Sequence, residues 1–135
     1  MVNSRDILHD MYNAVSGICD KVFLLDRPSS TSDDLKSFIV VSLPSAIRNN
    51  EMDDAGESND FSTTAWFEVY VRDKVSSKNI NAVDINTLSE KVQKVKALFP
   101  INAEHCVIFD PYELMTDSDG KQFHLTYIRA KIRTK

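Results

Sequence analysis

The chain has 135 residues, 42% of them hydrophobic and 27% charged, with a formal net charge of −4. That size and balance fit one globular domain with an ordinary hydrophobic core. The acidic excess speaks against generic binding to nucleic acid or anionic membranes, and only 3 glycines leave no room for a glycine-rich nucleotide loop. No apolar run approaches the ~20 residues of a membrane span, and the N-terminus MVNSRDILHDMYNAVSGICDKV has too much charge for a signal peptide. A cytoplasmic protein, or one that assembles in the cytoplasm, is expected.

Residues 4–19 read as a helix. Asn3 or Ser4 can cap it, and Ile7, Leu8, Met11, Val15 and Ile18 make an apolar stripe at spacings of three and four. KVFLLD, from Lys21 to Asp26, is a short apolar run that fits a strand. A polar connection rich in turn formers follows, from Arg27 to Asp34. KSFIVVSL, from Lys36 to Leu43, is a second strand closed by Pro44, which has no N–H for a ladder.

Between that strand and the next, residues 48–60 carry Glu51, Asp53, Asp54, Glu57 and Asp60, with Arg48 the lone base at the start. Such a run buries too little apolar surface to offset its ordering entropy, so a mobile acidic loop is expected. Phe61 to Asp73, FSTTAWFEVYVRD, is the strongest strand signal in the chain. Phe67, Val69 and Val71 share one side, and Trp66, Glu68, Tyr70 and Arg72 share the other. After a polar linker, Asp84 can cap a second helix with a stripe of Ile85, Leu88, Val92, Val95 and Leu98, ended by Pro100. EHCVIFD, from Glu104 to Asp110, is a further strand. Tyr112 to Arg133 then reads as a hairpin turned at Asp119-Gly120. In its last strand Phe123, Leu125 and Tyr127 share one parity, whereas Ile128, Ala130 and Ile132 take the other. A β-bulge near Tyr127-Ile128 would reconcile them.

These elements predict a single α+β domain over 1–135. Its sheet is largely antiparallel, with two amphipathic helices packed on one face, in the order α-β-β-β-α-β-β.

Motifs for chemistry are sparse. His105 and Cys106 are adjacent, and neighbouring strand residues point to opposite faces, so they do not converge on one ion or substrate. CxxC, HxxxH and HxH spacings are absent, and Asp117-Ser118-Asp119-Gly120 lacks the later ligands of a calcium loop. GxSxG, Walker and GxGxxG motifs are also absent, and carboxylate pairs occur only in polar loops. No catalytic, cofactor or metal residue is assigned, and no enzyme is expected. Cys19 and Cys106 read as free buried thiols, with a disulfide left open by the sequence.

Charge and aromatic placement point to an interface. Arg129, Lys131 and Arg133 put three cations on one face of the terminal strand, either as edge protection or as a contact surface. An acidic loop and a basic strand on one molecule are complementary. A head-to-tail contact between them would close a ring or continue as a stack. Trp66 and Tyr70 would add to that surface if their side of the sheet is uncovered; a second apolar layer within the chain is the alternative.

In this order the elements resemble those of the small tail-terminator and tail-completion proteins of long-tailed bacteriophages. The resemblance rests on the opening helix, KVFLLD, the pair KSFIVVSL and AWFEVYVRD around a long loop, the helix DINTLSEKVQKVKALF, and the basic strand HLTYIRAKIRTK. It implies a virion or prophage structural protein without a catalytic site or cofactor, assembling as a homo-oligomeric ring at the head–tail joint or tail end. Its partners would be itself and tail-tube or connector proteins, with no membrane and no sequence-specific nucleic-acid binding. The expected contacts are Glu51, Asp53, Asp54, Glu57, Trp66, Tyr70, Arg129, Lys131 and Arg133. A small cytoplasmic adaptor domain without catalysis is the alternative.

Overall fold

The computed structural model describes residues 2–43, 48–52, 58–74, 82–114 and 117–135, with backbone alone for 48–52 and 58–63. The elements run α1 (Ser4–Val15), β1 (Lys21–Leu24), β2 (Ser37–Ser42), β3 (Arg48–Met52) and β4 (Ser58–Arg72). They continue with α2 (Ile85–Lys96), β5 (Ile101–Asn102), β6 (Cys106–Glu113), β7 (Asp117–Ser118) and β8 (Phe123–Thr134). The α+β class stands. The sheet is mixed, because β1 runs parallel to β2 while the other described pairings are antiparallel. Its order is β1-β2-β4-β8-β6-β5, with β3 paired to β4 and β7 to β8.

Both helices begin as their caps dictate. Asn3 and Asp6 form a reciprocal capping box at α1, and Asp84 accepts from the Thr87 N–H at α2. α1 stops at Val15 rather than at Cys19. Ser16 leaves helical geometry, and Gly17 follows at φ +90°, a region glycine enters without a Cβ penalty.

The helices cover one face of the sheet, α1 over β1 and β2 and α2 over β4 and β8. Ile7, Met11 and Val15 of α1 and Leu88, Val92 and Val95 of α2 meet Ile39, Val41, Phe67, Val69, Ile128 and Ile132 in the main core. Cys19 and Cys106 are free and buried at its margins. Burial raises the Cys19 thiol pKa, and burial together with Asp10 pushes Cys106 up to about 12.

The expected order α-β-β-β-α-β-β is matched only roughly, since β3, β5 and β7 are additional strands, and three further expectations change. Residues 48–60 are not loop throughout, since β3 pairs with β4 from Arg48↔Ser62 to Met52↔Ser58; Asp53, Asp54 and Glu57 lie outside the described residues. Nor does β8 have a bulge at Tyr127-Ile128. Its register on β4 is unbroken from Arg72↔Phe123 to Ser62↔Arg133. The apolar set changes parity because the first half of β8 is buried on the face opposite the helices and the second half beneath them. Finally, β8 lies between β4 and β6 in the interior of the sheet, so its cations do not protect an edge.

Candidate interface on the second sheet face

The face turned away from the helices is built in rows, because directly paired residues present their side chains on the same side. Phe38, Tyr70 and Leu125 form one row across β2, β4 and β8, followed by Val40, Glu68 and Tyr127. Trp66, Arg129 and Tyr112 form the next across β4, β8 and β6, followed by Thr64, Lys131 and Phe109. The first rows are covered by the chain itself; in the later ones Tyr112 and Lys131 are exposed and Thr64, Trp66, Phe109 and Arg129 are half-buried.

On the covered half, Leu35, Phe38, Val40, Tyr70, Phe123 and Leu125 make a second core. Phe38 stacks on Tyr70 at 4.4 Å between ring centroids and meets Phe123 edge-on at 5.1 Å. The polar segment after β1 lies over these rings. Its Arg27 guanidinium sits 5.7 Å from the Phe38 and Tyr70 centroids and ion-pairs with nearly buried Asp119 at 3.0 Å. Arg72 anchors the same segment from the sheet. It donates to the Leu35 carbonyl at 2.8 Å and the Ser32 carbonyl at 2.9 Å, and its guanidinium lies 4.6 Å from the Phe123 centroid. Tyr70, at 5% exposed, is therefore a core residue and not a surface contact, which corrects the sequence expectation.

The other half is the candidate site. Arg129 lies over the ring of half-buried Trp66 with 3.7 Å from Cζ to the centroid, a direct cross-strand pair, and its Nε has no hydrogen-bond partner. Tyr112, opposite Arg129 on β6, is 51% exposed. Phe109 is half-buried, and exposed Lys131 ion-pairs with Asp110 at 3.5 Å. The expected residues Trp66, Arg129 and Lys131 are thus brought together. Arg133 follows on the same parity of β8, opposite Val107. Glu51 has no described side chain, and Asp53, Asp54 and Glu57 lie outside the described residues.

Phe109 and Tyr112 were missed because their sharing a face depends on a bulge. β6 gains one residue between Phe109↔Lys131 and Tyr112↔Arg129, with Asp110 at φ +54° and Pro111 beside it. Without the extra residue Tyr112 would fall on the helix side. Pro111 inside an apolar strand was the available signal, because proline inside a sheet is tolerated at bulges.

Glu68 marks the boundary between the halves. Burial raises its pKa, against the Tyr70 hydroxyl, which donates to the carboxylate at 3.2 Å. Burial also raises the Tyr127 phenol, with the charges of Glu68 and Asp117 adding to the shift. The arrangement offers flat aromatic surface and delocalised cationic charge, a composition found in protein contact surfaces. A groove of about 580 Å³ lies elsewhere, between α1 and the outer edge of β1, lined by Leu8, His9, Tyr12 and Leu24 among others. Among the described residues, no helix is long and apolar enough to cross a membrane.

No family model matches the chain, and a comparison with curated proteins finds no significant match.

Proposed function

We propose that this protein is a structural component of a bacteriophage or prophage tail. Copies of it associate into a homo-oligomeric ring at the tail end or head–tail joint, against tail-tube or connector proteins. The observation that carries the reading is the row of exposed Tyr112 and half-buried Trp66 and Arg129 beside a face that the chain otherwise covers with its own segment. A monomer gains nothing from leaving that aromatic surface in water, whereas a neighbouring subunit would bury it. The acidic stretch with Glu51, Asp53, Asp54 and Glu57 supplies charge opposite to Arg129, Lys131 and Arg133 on the next copy. Such a contact is heterologous and closes when the rotation per subunit permits. The order of elements, with a long hairpin and a basic terminal strand, resembles tail-terminator and tail-completion proteins and agrees with this assignment.

Light scattering over a range of concentrations tests it. Association should rise with concentration and fall when Arg129, Lys131 and Arg133 are replaced by glutamate, with circular dichroism confirming the fold. A protein that stays monomeric at every concentration, alone and with tail-tube protein, would remove the reading.

A further inference from the structure

On the helix side of the molecule, away from the aromatic rows, α1 meets the turn between β5 and β6. Asp10 of α1 is only 4% exposed. Its Oδ2 accepts the His105 amide N–H at 2.8 Å and the Cys106 S–H at 3.4 Å. Both donors are neutral. Among the described residues no lysine or arginine reaches Asp10 within ion-pair distance. A carboxylate buried with neutral donors alone is costly, and a bound cation offsets that cost.

Two further ligand groups stand at the same place. Glu104 and His105 occupy a bend rather than the strand proper, so their side chains are not forced to opposite faces. Glu104 Oε2 lies 3.7 Å from His105 Nε2, and one ligand atom from each of Asp10, Glu104 and His105 falls within 4.8 Å of the others. Metal–ligand bonds of about 2.0–2.2 Å hold donor atoms up to about 4 Å apart, so the set lies within about 1 Å of closure. The backbone is already fixed, since Lys135 N–H donates to the His105 carbonyl at 3.0 Å.

We infer that Asp10, Glu104 and His105 bind a borderline divalent cation of the zinc class, clamping α1 to the β5–β6 turn. One imidazole and two carboxylates select zinc, cobalt or nickel over magnesium and calcium, which take oxygen ligands. The two hydrogen bonds to Oδ2 hold the Asp10 carboxylate in place, as outer contacts do for metal-bound carboxylates. Cys106 stands outside the three-residue set and donates its S–H to Asp10 Oδ2, so it supports the site as an outer contact.

The test titrates the full chain with zinc chloride by calorimetry and with cobalt(II) chloride by visible absorption. The expected result is saturable binding of a single ion, with cobalt d–d bands of a nitrogen- and oxygen-ligated site. His105→Ala and Glu104→Gln should each weaken zinc binding by more than about a hundred-fold, beyond the roughly 10–100-fold usual on losing a supporting contact. Both residues reach solvent, so these variants should keep the fold. His9→Ala, on the same helix but outside the set, should leave affinity unchanged, and magnesium should not compete. Absence of saturable zinc binding would overturn the site. So would equal affinity in His105→Ala and Glu104→Gln, or a loss confined to Cys106→Ser.

Discussion

The two faces of the sheet reach burial by different chemistry. Beneath the helices the contacts are mostly aliphatic, Ile39, Val41, Val69 and Ile128 against Ile7, Met11, Leu88 and Val95. On the opposite face the buried residues are largely aromatic, and their cover is a polar segment held by Arg27 and Arg72. Helices carry apolar stripes wide enough to cover a sheet unaided. A segment made mostly of serine, threonine, aspartate and arginine has little apolar surface to give, so it covers rings with guanidinium planes instead. The second face therefore has a core only as far as Arg27 reaches, and beyond it Trp66, Phe109 and Tyr112 remain accessible.

The strongest test of that comparison replaces one large residue on each face. Phe67→Ala on the helix side and Phe38→Ala on the other should each cost about 3–5 kcal/mol in urea denaturation, because both side chains are fully buried. If Phe38→Ala costs under about 1 kcal/mol, as ordinary surface substitutions do, the aromatic cluster is no second core and the comparison fails.

Next in size is the cover itself. Arg27→Ala leaves Asp119 charged, nearly buried and without its ion-pair partner, and should cost about 3 kcal/mol. The double variant Arg27→Met with Asp119→Asn removes both charges and keeps apolar contact with the rings. Denaturant midpoints should show it regaining most of the loss. A double variant as unstable as Arg27→Ala would mean that the guanidinium's contact with the rings, rather than the ion pair, holds the segment in place.

The two faces also differ in how legible they were. Period-two alternation in β4 and the stripes of α1 and α2 predicted most of the helix side, because burial under helices demands those spacings, but Ile85 of the α2 stripe is exposed. The same alternation placed Trp66, Glu68 and Tyr70 together, yet could not tell that a polar segment covers Tyr70 and stops short of Trp66. That division depends on Arg27, Arg72 and Asp119, which pair across long stretches of chain. The apolar switch in β8 was visible, but a regular strand serving two cores in turn produces the same pattern as a bulge. The real bulge, at Asp110-Pro111, lies where the sequence reads as the end of one strand and the start of the next, whereas β6 runs through it to Glu113.

A third, smaller effect separates the halves of the second face. Trp66→Ala removes a half-exposed ring and its contact with Arg129 and should cost about 1 kcal/mol of stability. Its main consequence should be weaker self-association by light scattering. Leu125→Ala, in the covered half, should show the reverse, a loss of stability of about 2–5 kcal/mol with association unchanged in the folded fraction. Equal effects of the two on association would merge the halves into one surface.

The smallest expected effect concerns Glu68, where the halves meet. Burial raises its pKa in the folded protein above the ordinary value of 4.5, although the Tyr70 hydroxyl bond pulls the other way. A carboxyl raised in this way binds its proton more tightly folded than unfolded. Its favourable contribution is present below about pH 4.5 and is lost as pH rises through the folded value, so ionised Glu68 is a liability at neutral pH. Glu68→Gln keeps an oxygen acceptor for Tyr70 and removes the charge. Urea midpoints should therefore favour the variant slightly at pH 7, with the gap closing as pH falls below about 4.5. A variant less stable than the parent at neutral pH would mean that the charged hydrogen bond from Tyr70 outweighs burial. The aromatic half would then tolerate a carboxylate through a donor supplied by the chain itself.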